Sequence, residues 1–418
     1  MRKYNFEGGK IMKKFSKLVL LISIGILLVS IIIGSTYAAE EKKGLKFWTY
    51  WEKSPRNMAL YDVISAFNQS QKDIYVEMQY IPYQDMRKQM TIAVAGDNLP
   101  DIVQIDNPDH AAFSAMGVFS DVTKAVKKDL SVNKYFPGPL NAVKYKDRYY
   151  GLPLTFSPLA LYYNVDMFKA AGLAGPPSDW NQWRAYAKKL TGNGTFGVAL
   201  CGSKDEQSTF QFLPYLWMAG GDIDKMSSSQ ALRALNLYVN FLKDGSMSTE
   251  ITNWQQRDCS AQFIGEKAAM YVDGPWRMSE VKKAKFNWSV APLPKGPKGL
   301  ADTMAGETIA AIKGKNEKAA WEVLKWTQRP DQMLKLNMER GAFPPREDVL
   351  QNADYVKNDK NMMVFSSMLK YTRPRGPNPK WPQISAAIQQ MIQEVVVGAK
   401  QPEQAAKDAE RIINPLLK

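Results

Sequence analysis

The sequence has almost none of the residues that ligate transition metals or carry covalent catalysis. Of 418 residues, one is histidine and two are cysteine. Zinc sites draw three or four ligands, mostly from His and Cys, so a His/Cys metal cluster is nearly excluded. No cofactor is implied. A nucleophile triad would have to use His110, which follows Pro108-Asp109 and reads as a surface or packing residue. No heptad run or short-period repeat is present. The 55 Lys and Arg against 41 Asp and Glu are not massed in one basic run, which argues against nucleic acid as a partner. What is present is ordinary for a globular chain: 45% apolar and 23% charged residues. That length suggests two domains or lobes.

The first 38 residues read as an export leader. Lys13, Lys14 and Lys17 precede an apolar run from Leu18 to Ile33, and small residues follow at Thr36 and Ala38. That is the order of a secretory signal. The alternative is an uncleaved membrane anchor, since the run is long for a signal. No cysteine lies near the cleavage site. Six of the Lys/Arg and one Glu fall in this segment, so the formal +14 drops to +9 for the rest. That charge supports no more than a mild preference for acidic ligands.

The stretch Phe263 to Trp276 organises the chain. Gly265 closes a short helix, Ala268 to Val272 reads as a buried strand, and Asp273-Gly274-Pro275-Trp276 reads as a strand-to-helix turn. Gly274 lets backbone approach a ligand, and Pro275 suits the first turn of a helix. Trp276 is thereby held where ligands sit in open α/β sheets, or else it is core under a loop. Upstream, Leu45–Tyr50, Ile74–Tyr80 and Ile102–Ile105 read as strands. Between them come helical spacing at Leu60, Val63, Ile64 and Phe67 and a helix over Gln84–Ala95. This β-α-β-α-β order predicts a parallel sheet covered by helices. Its strand ends carry Trp51, Glu52, Asp106 and Asn107, which either converge on a crevice or cap the next helices.

Further along, Leu159 to Tyr163, Gly197 to Leu200 and Thr308 to Ile312 read as strands. Trp180 and Trp183 lie on one helix face as core. Trp217 sits near a helix end before Gly220-Gly221, facing either core or cleft. Arg346, Arg373 and Arg375 lie in loops held by proline and glycine.

The ordered set of these segments resembles the extracellular solute-binding proteins of ABC importers, in the carbohydrate-binding group that includes maltose-binding protein. The carrying residues are Asn98-Leu99-Pro100-Asp101-Ile102-Val103 before Asp106, and Tyr150-Gly151-Leu152-Pro153 before Tyr162-Tyr163-Asn164. They continue with Trp217-Met218-Ala219-Gly220-Gly221, Gly265-Glu266-Lys267-Ala268-Ala269-Met270, Gly274-Pro275-Trp276 and Pro382-Gln383-Ile384. They span nearly the whole chain after the leader.

The resemblance implies an α/β fold of the two-lobe periplasmic binding protein type, with a hinged cleft. Lobe 1 would hold residues 39–153 plus about 295–340, and lobe 2 residues 154–294 plus about 341–418. Crossings fall near 153–158, 290–300 and 338–346 by analogy. It implies a monomeric, non-catalytic periplasmic receptor for a small carbohydrate, served by permease subunits and a cytoplasmic ATPase. The implied ligand set is Trp51, Glu52, Asp106, Asn107, Trp217, Gly274, Trp276, Glu307, Arg346 and Arg375. Two alternatives remain. One is a glycerophosphodiester or uronate binder, for which the arginines would serve. The other is a secreted glycosidase using Glu52 and Asp106 as acid and base. Cys201 and Cys259 would share the second lobe in an oxidising compartment, and a disulfide between them is expected.

Overall fold

The computed structural model describes residues 42–55 and 57–418; the expected leader lies outside them. The first sheet grows from the predicted β-α-β-α-β run. Strand β1 (Lys43–Thr49) pairs in parallel with β2 (Ile74–Tyr80) and with β3 (Ile102–Asp106). Helices α1 (Met58–Ser70) and α2 (Tyr83–Ala95) connect them, and α3 (Asn107–Ala115) follows β3. Leu60, Val63, Ile64 and Phe67 of α1 are buried, as their helical spacing requires.

The sheet is mixed rather than parallel throughout. Beside β3 lie β4 (Leu152–Pro153) and, between the two, a strand supplied from about 200 residues later, Glu307–Ala311, antiparallel to both. Local periodicity cannot show that a distant strand will enter a sheet, because pairing is a tertiary choice.

The second sheet has three strands. Its centre is β5 (Ala160–Asn164), flanked antiparallel by β6 (Met270–Asp273) and β7 (Trp288–Ala291). The predicted strand Gly197–Leu200 is only a pair of neighbouring bridges, Phe196 to Ala268 and Ala199 to Tyr271. Around this sheet pack α4 (Trp180–Leu190), α5 (Glu206–Met218), α6 (Ser229–Lys243) and α7 (Gln256–Ile264). The short strand β8 (Asp302–Thr303) lies beyond β7, and the late strand of the first sheet is β9 (Glu307–Ala311). Helices α8 (Glu317–Thr327) and α9 (Pro330–Arg340) return to the first sheet, where Val323, Leu324 and Leu336 join its core. The chain then crosses back. A two-residue strand, β10 (Thr372–Arg373), pairs with β8, and α10 (Trp381–Val396) and α11 (Pro402–Ile413) close the second core. The loop at Gly296 to Gly299 packs on this second core, with Lys298 N–H donating to Met218 O at 2.8 Å.

Trp183 is fully buried and Trp180 is 9% exposed, so the predicted core face of α4 holds. The cysteines depart from expectation. Cys201 and Cys259 are free thiols, each fully buried in the second core. Cys201 Sγ lies 3.4 Å from Ser203 Oγ. Burial pushes both thiols above their ordinary pKa. The expected disulfide is not formed in this structure, and both residues act as small apolar side chains of the core. Among the described residues, no helix is long and apolar enough to cross a membrane.

His110 is a packing residue. It is fully buried, with Nδ1 2.9 Å from Thr308 Oγ1 and its ring 5.0 Å from that of Phe119. Burial pushes its pKa down to about 3. The folded pKa lies below the unfolded one, so the unfolded chain takes the proton first. The histidine's contribution to stability is full above about pH 6.5 and is lost as pH falls toward 3, at roughly 1.4 kcal/mol per pH unit. Urea titrations across that window should show a flatter pH profile for His110→Gln than for the wild type; identical slopes would contradict this account.

Candidate functional site

Strand ends and helix ends from both sheets converge on a cleft of about 430 Å³. From the first sheet come Tyr50, Trp51 and Glu52 after β1, Tyr83 and Gln84 at the start of α2, and Asp106 at the end of β3. Glu307 at the start of β9 and Arg340 at the end of α9 complete that wall. From the second come Gln207 and Phe210 on α5, Gln255 to Arg257 at the start of α7, Trp276 and Arg277 after β6, and Arg375 from the late loop. Both β1 and β3 present their carboxyl ends here, as open α/β sheets do at ligand sites.

Arg375 joins the two walls. Its Nη1 and Nη2 donate to the two oxygens of Asp106 at 3.1 and 2.8 Å, and Nη1 also donates to Glu206 Oε1 at 2.9 Å. Asp106 belongs to the first wall and Glu206 to α5 of the second. The Arg375 side chain is 3% exposed. Burial works against its charge, but the two carboxylates outweigh burial and raise its pKa above the ordinary value. Asp106 makes no side-chain cap to α3. Its carboxylate instead takes Arg375 and the Tyr83 hydroxyl at 3.1 Å. Burial, reinforced by Asp106, raises the Tyr83 pKa, so that hydroxyl keeps its proton. A weaker link also crosses between the walls, from Gln84 Nε2 to Asp205 Oδ2 at 3.4 Å.

Trp51, Glu307 and Arg340 form a second group. Trp51 is 2% exposed and is not an open stacking platform. The Arg340 guanidinium covers its ring at 4.7 Å, and its Nε1 donates to Glu307 Oε1 at 3.3 Å. The other Glu307 oxygen accepts from Thr155 Oγ1. Gly306, just before Glu307, has φ +152°, and a Cβ there would come within 2.3 Å of Thr155 O. Only glycine lets the two chain segments pass so closely.

Trp276 stands over the opposite wall, 6.1 Å from the Phe210 ring. Gly274 makes this placement possible, because a Cβ there would lie 2.0 Å from the Trp276 ring. Gly274 itself does not line the cleft; its carbonyl accepts from the Tyr162 hydroxyl at 2.8 Å. Glu52 lies on the rim and is exposed.

Of the ten sequence candidates, the cleft therefore brings together Trp51, Glu52, Asp106, Trp276, Glu307 and Arg375. Asn107, Trp217 and Arg346 lie elsewhere. Asn107 is 4% exposed and donates from Nδ2 to Met304 O at 3.3 Å, tying down a crossing segment. Trp217 is 8% exposed, bonds Asp222 Oδ1 at 3.3 Å and has Arg373 over its ring at 5.5 Å. Arg346 forks onto Asp348 at 3.0 and 2.7 Å and onto Gln328 O at 3.0 Å. Sequence reasoning missed Arg340, Tyr83 and Phe210. They sit at ordinary helical positions, and Arg340's one signal is that it immediately precedes Gly341, which ends α9.

The bacterial extracellular solute-binding protein family matches residues 62–364. The chain belongs to this family. This solute-binding protein is 24% identical over 369 residues to a putative binding protein of Brucella abortus, covering 85% of this chain and 89% of the relative. It is 23% identical over 342 residues to the maltotriose-binding protein of Pyrococcus abyssi, covering 78% of this chain and 72% of the relative. Among solved structures, an ABC transporter solute-binding protein from Thermotoga lettingae bound with α-D-tagatose superposes with a TM-score of 0.82. It shares 26% identity, covering 90% of this chain and 100% of that one. The two-lobe binding-protein fold read from the sequence is thus the fold of this chain.

Proposed function

We propose that this chain is the receptor component of an ABC importer. It binds a neutral carbohydrate reversibly in the interlobe cleft of the periplasmic form and passes it to membrane permease subunits driven by a cytoplasmic ATPase. The first lobe would hold residues 42–153 and about 304–340, and the second the segments between and after them. The observation that carries the reading is the cleft itself. Aromatic rings and hydrogen-bonding side chains from both lobes face one space, and Arg375 already spans it. An aromatic face beside polar groups matches a sugar ring with its hydroxyls.

Three of the arginines that could favour an anion are held by carboxylates, and a fourth, Arg340, stands beside the Glu307 carboxylate at 3.9 Å. Arg375 is bound by Asp106 and Glu206, Arg346 by Asp348, and Arg277 by Glu280 at 2.9 Å. Asp106, forked onto Arg375, is poorly placed to act as a glycosidase acid or base.

A thermal-shift screen of mono-, di- and oligosaccharides against uronates and glycerol phosphates tests this. A true ligand at a hundredfold above Kd stabilises by about 2.7 kcal/mol. Its affinity should change little between low salt and about 0.5 M, because a neutral ligand feels no screening. Chromatographic recovery of the sugar unchanged after incubation completes the test. A preferred phosphate or uronate with steep salt dependence, or turnover of the sugar, would overturn the proposal.

A further inference from the structure

Arg340 carries more donors than the protein uses. It is 9% exposed, and its Nε and Nη1, both shielded from solvent, have no hydrogen-bond partner among the described residues. Its Nη2 stands 3.9 Å from Glu307 Oε1, beyond hydrogen-bond range. The guanidinium is fixed against the Trp51 ring, so it cannot swing out to water without giving up that contact. Burial lowers its pKa, yet an arginine in a protein stays charged. A buried charged donor with no acceptor is unfavourable. The cleft therefore leaves a demand for oxygen atoms at this place.

Glu307 poses the complementary demand. One of its oxygens accepts from Trp51 Nε1 and the other from Thr155 Oγ1. A carboxylate accepts about four hydrogen bonds, so both oxygens retain a lone pair. Both residues face the cleft. A hydroxyl set between them would accept from Arg340 and donate to Glu307. A guanidinium offers its donors as a planar fork, which fits two neighbouring oxygens better than one. An acidic group would suit Arg340 alone. It would meet the Glu307 carboxylate at the same place, where like charges repel.

We propose that Arg340 and Glu307 together select a vicinal diol, two adjacent ring hydroxyls that accept from the guanidinium while at least one donates to the carboxylate. This rests on the carbohydrate reading above and deepens it. Arg340 is a specificity-determining residue, and the Trp51 ring positions it.

The test uses calorimetry with D-tagatose, maltose and maltotriose, followed by the full set of monodeoxy derivatives of whichever binds tightest. Wild type should lose roughly tenfold or more in affinity for two derivatives that lack adjacent hydroxyls. In Arg340→Met and in Glu307→Gln that penalty should shrink to near onefold, while the other derivatives keep their wild-type ratios. Arg340→Lys keeps the charge without the fork and should restore the penalty at one of the two positions only. Thermal melts of the free variants report folding, and Glu307→Gln, which keeps the side-chain shape, decides the matter should Arg340→Met not fold. A wild type that binds one of the three sugars but shows no adjacent pair of penalties, or penalties unchanged in the variants, overturns this inference alone. Glucuronate binding more tightly than glucose through Arg340 also overturns it, in favour of an acid. A wild type that binds none of the three sugars removes this inference together with the sugar reading.

Discussion

Arg375→Ala is expected to destabilise the protein by about 3–5 kcal/mol, as removal of one partner from a buried charge group does. The guanidinium now satisfies Asp106 and Glu206, whose side chains are 12% and 8% exposed. Without it, two buried carboxylates face each other across the cleft. Each keeps one neutral donor: the Tyr83 hydroxyl for Asp106, and Trp381 Nε1 at 3.0 Å for Glu206. Those donors do not neutralise charge. Replacing the acids as well, with Asp106→Asn and Glu206→Gln, should recover much of the loss, so the substitutions should be strongly non-additive. Urea unfolding of the set checks this. A loss below about 1 kcal/mol for Arg375→Ala would mean the triad contributes little, as exposed ion pairs do.

Trp276→Ala is expected to weaken sugar binding by about 2–4 kcal/mol while leaving the fold largely intact, the pattern of an aromatic anchor at a binding surface. The ring stands over the cleft wall on a backbone cleared by Gly274. Trp180→Ala serves as the contrast. Its ring packs near Tyr215 inside the second core, so it should lower stability by about 3–5 kcal/mol and spare the affinity of the folded fraction. Calorimetry with a sugar from the screen, beside unfolding curves for both variants, separates the two effects. Wild-type affinity in Trp276→Ala would place the sugar elsewhere.

The sequence was most readable where one local rule decides the structure. The spacing of Leu60, Val63, Ile64 and Phe67 fixed a buried helix face, and the turn at Asp273 to Trp276 lies where its glycine and proline put it. It was least readable where partners come from far along the chain. Arg375 and Arg346 look alike as loop arginines, yet one is held by carboxylates 269 and 169 residues away and the other by an aspartate two residues on. Asp106 could cap α3 or face the cleft, and its choice depends on Arg375. Arg340 gave almost no signal, because its Trp51 contact is formed only in three dimensions. The cysteines show the same limit. An expected oxidising compartment and a shared lobe favoured a bond, whereas the structure holds two free thiols in one core, because pairing depends on three-dimensional geometry that spacing in sequence does not give.

The place of β9 in the first sheet sets the order in which this molecule can be assembled. The strand lies between β3 and β4, yet it is made after the whole run from β5 to β8. Until residue 307 is available, β3 has an open edge and β4 has no partner in the sheet. The three strands of the second sheet, by contrast, arrive within residues 160–291. The sheet that is begun first is therefore completed after the sheet begun second, although α10 and α11 close the second core last of all. Closing so long a loop before its contacts form is a slow step, and it leaves an unpaired strand edge available to other chains in the meantime.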